Sequence, residues 1–350
     1  MTSALPPSTR RRRLPMVVAA VLVLCALVLG ACSDDAPSLV PGDEAGPGSE
    51  ADGDAAGASA DDSDGEAGAD GDDAALAPPP PSAAALCAAG PAVELATVAD
   101  PALEEISGLA VDGRPRRGVW AIEDSGTVAA LYRIGFDGQT RQTVTLDVDN
   151  IDWEDLAYDH RTGELVIADT GNNLRERSPV RLHAVTVGGG DTARSVTTTE
   201  ITYPDEIPDV EALLIDPLTG DRLLVTKALD QRDFSFEDDT IVYRVPVADP
   251  SGGPVVVEEV ARLRLGLVRT VTGGDIAADG SIIVLRTYDT VLVWDRAPGT
   301  TVAEALTAAE PCEAPSPREA QGEAIALALD ARSFVTIGEE INAPIWQVSG

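Results

Sequence analysis

A pattern that occurs five times along the chain constrains its fold more than any other feature. A short apolar run ends in aspartate at a tight turn, and the five runs begin at Ser107, Glu154, Glu211, Gly274 and Glu323. A second apolar run follows each of them, and repeats of roughly 45 to 65 residues are typical of β-propeller blades. Helical periodicity is poor, so we expect an all-β domain.

The number of strands in each unit predicts the number of blades. Third strands are expected near Ala130, Val180, Ile241, Val291 and Pro344, and fourth strands near Thr143, Thr198, Val256 and Val302. The last unit lacks a fourth strand, whereas a spare strand, Val93 to Val98, precedes the first unit. We therefore predict a β-propeller of five four-stranded blades, closed by this N-terminal strand in the last blade. Six blades is the second interpretation, and a β-sandwich is the third.

The N-terminus has the features of an exported lipoprotein. Arg10 to Arg13 precede an apolar run from Met16 to Gly30, which is short for a transmembrane helix. The run ends in Leu29-Gly-Ala-Cys32, a lipobox-like sequence. We predict a signal peptide over 1–31 and a lipid on Cys32 that anchors the protein to the extracytoplasmic face of the cell membrane. The alternative is an ordinary signal peptide with a chance cysteine.

An acidic segment follows the predicted lipid site. Residues 33–84 contain fourteen Asp or Glu and no Lys or Arg. Such a segment cannot bury enough apolar surface to offset the entropy lost on ordering. We therefore predict a disordered tether over 32–84 and a propeller domain over 85–350.

The charge of the predicted domain excludes some partners. Residues 85–350 contain 21 Lys or Arg and 45 Asp or Glu, a formal net charge of −24. Electrostatic repulsion then disfavours nucleic acid and anionic lipid surfaces. Cations, sugars and basic proteins remain compatible, and we expect a monomer.

Polar residues recur where the first strand of each blade begins and where the second ends. In a propeller both positions face one opening of the central channel, which we call the mouth. Carboxylate and amide oxygens are the preferred ligands of Ca²⁺, and crowded carboxylates repel one another unless a cation neutralises them. The alternative is that these residues form turns and a solvated rim. The candidate residues are Glu123, Asp124, Glu154, Asp155, Asp169, Asn173, Glu211, Lys227, Asp275, Arg286, Glu323 and Glu339.

Four of these candidates are expected at equivalent repeat positions around the channel axis: Glu154, Glu211, Asp275 and Glu323. The domain has only two histidines, so neither a Ser-His-Asp triad nor a His-rich zinc site is expected.

Two cysteines remain in the predicted domain. Cys87 precedes the spare strand, and Cys312 lies where we expect the loop that enters the last blade. An even pair in an exported domain predicts a disulfide, with two free thiols as the alternative.

Several short motifs occur in the predicted domain, and they include Glu123-Asp-Ser-Gly, Asp152-Trp-Glu-Asp-Leu-Ala, Ala168-Asp-Thr-Gly-Asn-Asn and Gln321-Gly-Glu-Ala-Ile. As a set they resemble motifs of exported actinobacterial propellers related to phytase-like or esterase-like propeller domains. The resemblance covers 85–350 and implies a propeller with Ca²⁺-assisted phosphoester chemistry. Phytase-type sites surround phosphate with several Lys and Arg, and this mouth offers Lys227, Arg286, Arg175 and Arg177.

Three functions are compatible with the sequence. The first is a binding module whose acidic mouth holds a cation, a small ligand or a protein. The second is a Ca²⁺-dependent hydrolase of phosphoester or ester bonds, and the third is a structural propeller without a ligand. The sequence alone does not separate the first two.

Overall fold

The computed structural model describes residues 80–113, 118–246, 253–266 and 268–350. The predicted signal peptide, Cys32 and most of the predicted tether lie outside these ranges. The described part is built from strands and two short helices, α1 (Ala83–Cys87) and α2 (Val302–Ala308). Neither of these two helices has the length and hydropathy needed to cross a membrane.

Five antiparallel sheets of four strands form the blades. In each one the first strand is innermost and lines the channel. β1 (Val93–Thr97) is the fourth and outermost strand of blade 5. The strands of blades 1 and 2 are β2 (Ile106–Ala110), β3 (Val119–Glu123), β4 (Ala130–Ile134), β5 (Thr140–Thr145), β6 (Trp153–Asp159), β7 (Glu164–Asp169), β8 (Val180–Val187) and β9 (Ala193–Thr202).

Blade 3 has two short additions in its connections, the hairpin β12 (Leu229–Asp230) and β13 (Ser235–Phe236), and β15 (Val255–Val256), which joins the edge of blade 2. The strands of blades 3, 4 and 5 are β10 (Val210–Ile215), β11 (Arg222–Thr226), β14 (Thr240–Val245), β16 (Glu258–Leu263), β17 (Val271–Ile276), β18 (Ile282–Thr287), β19 (Val291–Asp295), β20 (Cys312–Ala314), β21 (Gly322–Leu327), β22 (Ser333–Gly338) and β23 (Pro344–Ser349).

The ring closes through the N-terminal strand. β1 pairs antiparallel with β23, with Val93 opposite Gln347 and Thr97 opposite Pro344. Five apolar clusters fill the five spaces between adjacent blades, including the space between blades 5 and 1. The predicted five-bladed propeller with N-terminal closure is therefore confirmed.

Tight turns join the first and second strands on the face opposite the mouth. In blade 2 the Asp159 carboxylate accepts hydrogen bonds from the backbone N–H groups of Arg161 and Thr162, and Gly163 adopts φ 77°. In blade 3 Asp216 accepts a hydrogen bond from the N–H of Leu218, and Gly220 adopts φ 82°. Glycine adopts this left-handed conformation without the steric cost of a Cβ atom, which explains the recurring Asp and Gly positions.

Two outer strands differ from the prediction. The segment near Val302 is α2 instead of a strand, because the side chain of Thr301 and that of Glu304 form a capping box at its start. The fourth strand of blade 4 is β20. In blade 3 the fourth strand is β16, and Val256 belongs to β15, which pairs in parallel with β9.

The predicted disulfide joins Cys87 to Cys312, with their Cα atoms 6.1 Å apart. Cys87 ends α1 and Cys312 begins β20, so the bond links the N-terminal segment to the outer edge of blade 4. We expected Cys312 in the loop that enters blade 5, whereas it begins β20, the last strand of blade 4.

Candidate functional site

A β-bulge lies at the start of the first strand of every blade. Each bulge adds one residue that has no partner on the second strand, which bends the strand and redirects its side chains. Three blades carry glutamate there and two carry a hydroxyl residue; the five residues are Ser107, Glu154, Glu211, Thr272 and Glu323. The register therefore gives blade 4 a threonine at this position. The predicted equivalence of Asp275 with the three glutamates is wrong.

Carboxylates from four blades converge at the mouth. Glu154, Asp209 and Glu211 are buried, and one carboxylate oxygen of each lies within 4.8 Å of a carboxylate oxygen of the other two. Asp124, Asp152 and Glu154 form a second group of this kind, and Glu105, Asp124 and Glu339 form a third. Because the groups share members, they make one continuous set, which we call the acidic cluster. It extends from the buried interior to half-buried side chains at the surface.

Three members of the acidic cluster were not predicted from the sequence. Glu105, Asp152 and Asp209 directly precede β2, β6 and β10, and each lies two residues before the bulge residue of its blade. Alignment of the repeats on the bulge residue would have placed them in one column, which continues with Thr270 and Gln321.

Positive charge at this site is limited. The Lys227 ammonium, from the only lysine of the chain, donates a hydrogen bond of 2.6 Å to Glu211 and lies 5.6 Å from the ring centre of Tyr288. Burial alone would lower the pKa of Lys227, but the Glu211 carboxylate raises it well above its ordinary value. Arg177 pairs with Asp169 at 2.5 Å and lies 3.7 Å from Asp152. These cations are fewer than the carboxylates they face.

The acidic cluster consequently holds protons more tightly than isolated carboxyl groups do. Burial, together with repulsion from neighbouring carboxylates, raises the pKa of Asp124 to about 6, that of Asp152 to about 7 and that of Glu339 to about 8. The pKa of fully buried Glu154 is raised well above its ordinary value for the same reasons. Each of these shifts favours the neutral acid unless a cation stabilises the charged form.

Two local features fit a hard divalent cation. Asp209 accepts a hydrogen bond of 2.7 Å from the backbone N–H of Asn172 through Oδ1, whereas its buried Oδ2 has no hydrogen-bond partner among the described residues. A Cβ atom at Gly171 would lie 1.9 Å from Oε1 of Glu154 and 2.6 Å from the carboxyl group of Asp152, so only glycine leaves room for them. The donor set is entirely oxygen, as Ca²⁺ and Mg²⁺ prefer.

Blade 5 and the loop that enters it place two further carboxylates, Glu319 and Glu323, beside the cluster member Glu339. The side chain of Gln321 donates hydrogen bonds to Glu323, at 2.7 Å, and to Glu339. Arg286 is fully buried and donates to Glu319, while its Nε and one terminal nitrogen have no partner among the residues described. The predicted residues Glu323, Glu339 and Arg286 therefore lie together on this side of the mouth.

Two predicted residues, Asp155 and Asp275, lie deeper in the channel and connect neighbouring blades. Asp155 accepts hydrogen bonds of 2.8 Å from the N–H groups of Leu156 and of Leu213 in the next blade. Asp275 does the same with Ile276 and Leu327. These carboxylates hold adjacent first strands together and are not placed to contact a ligand at the mouth.

The remaining predicted residues support the loops of the mouth. Glu123 accepts a hydrogen bond from the N–H of Glu104, which precedes the cluster member Glu105. Asp169 accepts one from the N–H of Asp152 and positions that residue. Asn173 lies in the loop that follows β7.

Comparisons with known proteins add nothing on function. No protein-family model matches the chain, and no curated protein matches it. The β-propeller domain of Cps50 (Swd1) from Myceliophteria thermophila is 12% identical and covers 69% of this chain and 82% of its own, with a TM-score of 0.32. A chain of the nidogen/laminin complex is 14% identical, covering 67% and 73% with a TM-score of 0.38. A putative 6-phosphogluconolactonase from Bacteroides uniformis is 15% identical, covering 68% and 66% with a TM-score of 0.36.

Proposed function

We propose that this protein is a lipid-anchored extracytoplasmic binding module whose mouth holds a divalent cation, Ca²⁺ foremost. The observation that carries the proposal is the buried group of Glu154, Asp209 and Glu211, whose oxygens lie within 4.8 Å of one another. Lys227 provides a single positive charge against these three carboxylates.

Physical chemistry favours a small cation at this place. Ionised carboxylates that are close together and buried repel one another strongly, since the effective dielectric constant is low. Protons can relieve the repulsion, as the raised pKa values show, but a divalent cation relieves it for several carboxylates at once. The unpaired oxygen of Asp209 supplies a ligand that no described residue uses.

Thermal unfolding of the full chain tests the cation site. We expect CaCl₂, added to chelator-treated protein, to raise the melting temperature in a saturable way. A site that binds only the folded state stabilises it by about 2.7 kcal/mol at a hundredfold excess of ligand over its Kd. Glu154→Gln combined with Glu211→Gln should abolish the shift and leave the β-sheet circular dichroism unchanged.

A matched control removes two charges elsewhere. Glu94 and Glu310 are exposed and lie outside the acidic cluster, so Glu94→Gln combined with Glu310→Gln should keep the full shift. If neither Ca²⁺ nor Mg²⁺ moves the melting temperature, the cation site is refuted.

The lipid anchor is tested separately. The lipobox-like sequence before Cys32 supports it. Cys32→Ser should release the protein from the membrane fraction or block processing of the signal peptide. A variant that is cleaved normally and still partitions fully with membranes contradicts the anchor.

A second candidate function is a Ca²⁺-dependent hydrolase. It is supported by Asp152 and Glu323, whose pKa values burial raises to about 7, a range suited to proton transfer at neutral pH. p-Nitrophenyl phosphate and p-nitrophenyl acetate should then be turned over with Ca²⁺, and a chelator or Asp152→Asn should stop the reaction. Absence of chelator-sensitive turnover of either compound leaves the binding module.

A further inference from the structure

Exposed large apolar side chains are concentrated on the face that carries the mouth. Nine such residues occur among the described ranges, and six of them lie in loops that enter a first strand or join a second strand to a third. Both kinds of loop are on the mouth face because the strands of each blade alternate in direction. We call these six residues the apolar rim: Val128, Ile151, Leu174, Phe234, Val268 and Ile341.

The distribution around the ring is regular. Every blade contributes at least one member of the apolar rim, either from its own loop or from the loop that enters it. Single exposed apolar residues are normal on protein surfaces, whereas six of the nine described ones share one face, where a single partner can contact several of them together with the acidic cluster. Val93 and Leu218 lie at the opposite ends of the strands, and Val256 pairs with Thr202 on the outer edge of blade 2.

Two members of the apolar rim also have costly backbone conformations. Phe234 adopts φ 60° and Val268 adopts φ 66°, in the left-handed region that glycine tolerates and a β-branched side chain strongly disfavours. The chain thus combines backbone strain with exposure of a large apolar group to water at both positions. Strain of this kind is typical of binding surfaces.

The loop that presents Phe234 is held in place before any partner binds. Phe234 lies at the tip of the β12–β13 hairpin. Arg175 donates a hydrogen bond to Glu237 beside the hairpin and lies 3.8 Å from the carboxyl group of Asp230. A preorganised apolar side chain loses little entropy on binding, which favours affinity.

The charge on the same face determines the chemistry of the partner. Glu105, Asp124 and Glu339 form the half-buried outer end of the acidic cluster, and the domain has a formal net charge of −24. We propose that the mouth face docks a protein segment in which Lys or Arg is flanked by apolar residues. The basic side chain contacts the outer carboxylates, and the flanking residues pack on the apolar rim. An anionic lipid surface would be repelled by the same charge.

This interaction uses side chains separate from the buried group Glu154, Asp209 and Glu211, so it does not depend on the proposed cation. The probe is a phage-displayed library of random 12-residue peptides, selected on the full chain carrying Cys32→Ser. We expect enrichment of sequences in which Lys or Arg lies among apolar residues. Increasing salt should weaken their binding, since the contribution of the half-buried carboxylates is screened.

Paired variants locate the binding surface. Leu174→Ser combined with Phe234→Ser should weaken the selected peptides by about tenfold or more, as expected for apolar anchors at an interface. Val93→Ser combined with Leu218→Ser removes equally exposed side chains from the opposite face and should leave binding unchanged. Glu105→Gln combined with Glu339→Gln should weaken binding and reduce its salt dependence. Unchanged circular dichroism of each variant shows that its fold is intact.

Three results of the peptide selection would overturn the proposal, and one of the vesicle experiment. The first three are the absence of any enriched peptide that depends on the apolar rim, enrichment of acidic or uncharged peptides, and equal losses from both pairs of serine variants. Vesicles of phosphatidylcholine with phosphatidylglycerol form the last arm of the experiment. If the rim variants reduce vesicle binding but not peptide binding, the surface faces lipid and the protein partner is refuted. The Ca²⁺ shift, measured on the same variants, reports separately on the proposed cation site.

Discussion

Glu154 shows how burial and neighbouring charge change the behaviour of a single carboxyl group. Its side chain is fully buried among other carboxyl groups, and the largest cause of its raised pKa is the loss of hydration. Asp152 and Glu339 are affected in the same direction, with pKa values of about 7 and about 8. At neutral pH the folded chain therefore keeps protons that the unfolded chain has released.

This excess of protons predicts a pH dependence of stability. Carboxyl groups whose pKa is raised on folding stabilise the protein below their unfolded pKa and lose that effect as pH rises through the folded value. Without divalent cations, the melting temperature should fall as the pH rises from about 6 to about 8.5. Exposed carboxyl groups are already ionised in this interval, so they do not contribute to the change. The Ca²⁺-induced shift should be larger at the upper end, because protons compete less there.

The glutamine variants separate the mouth from the general surface charge. Glu154→Gln combined with Glu211→Gln should flatten the dependence, whereas Glu94→Gln combined with Glu310→Gln should retain it. A melting temperature that is constant or rises over this interval would mean that the acidic cluster is already ionised in the folded protein.

At the scale of the strand, carboxylates have different surroundings at two depths of the channel. Those at the mouth form the acidic cluster, whereas the deeper ones bond to backbone N–H groups. Asp275 lies three residues beyond the bulge of blade 4 and bonds to backbone N–H groups of its own strand and of the next blade. The bulge residue Thr272 connects the same two blades through a hydrogen bond of 2.8 Å to the carbonyl of Gly322. Blade contacts thus depend on side chains that bond to backbone as well as on apolar packing.

Replacement of Asp275 distinguishes these two tasks. Asp275→Ala leaves two buried N–H groups without acceptors, at a cost of about 1–3 kcal/mol each. Urea unfolding should show this loss, and Asp275→Asn, which keeps one acceptor oxygen, should lose less. The Ca²⁺ shift of the melting temperature should be preserved in both variants. If Asp275→Ala abolishes that shift, Asp275 belongs to the cation site.

The register of these strands marks the limit of what the sequence predicts. Repeated apolar runs and Asp-Gly turns are local signals, so the blades, the closing strand and the Cys87–Cys312 pair could be predicted. A bulge changes which residue faces the channel without changing the apolar pattern, so Asp275 was grouped with the glutamates and Thr272 was missed. Asp209 lies outside the strands, where periodicity gives no information. The apolar pattern near Val302 favours a strand, whereas the capping box of Thr301 with Glu304 begins a helix there.

For the whole molecule, ring closure depends on a strand with little packing of its own. The side chains of β1 are exposed or half-buried along its whole length, and its pairing with β23 completes blade 5. The disulfide fixes the segment just before β1 to blade 4, across a sequence separation of 225 residues. The bond and the strand together therefore join the N-terminal segment to two adjacent blades.

Removal of this bond should loosen the closure before it affects the mouth. Cys87→Ala combined with Cys312→Ala, or reduction of the native protein, should lower the free energy of unfolding by about 2–5 kcal/mol, since a long loop is no longer closed in the unfolded chain. Hydrogen exchange should accelerate most at the amides of β1 and much less at those of β6, which is buried between blades. Ca²⁺ should still raise the melting temperature of the variant, because the residues of the acidic cluster come from blades 1, 2, 3 and 5 and do not contact the disulfide. Two alkylatable thiols in the native protein, or unchanged stability after reduction, would show that β1 closes the ring without covalent support.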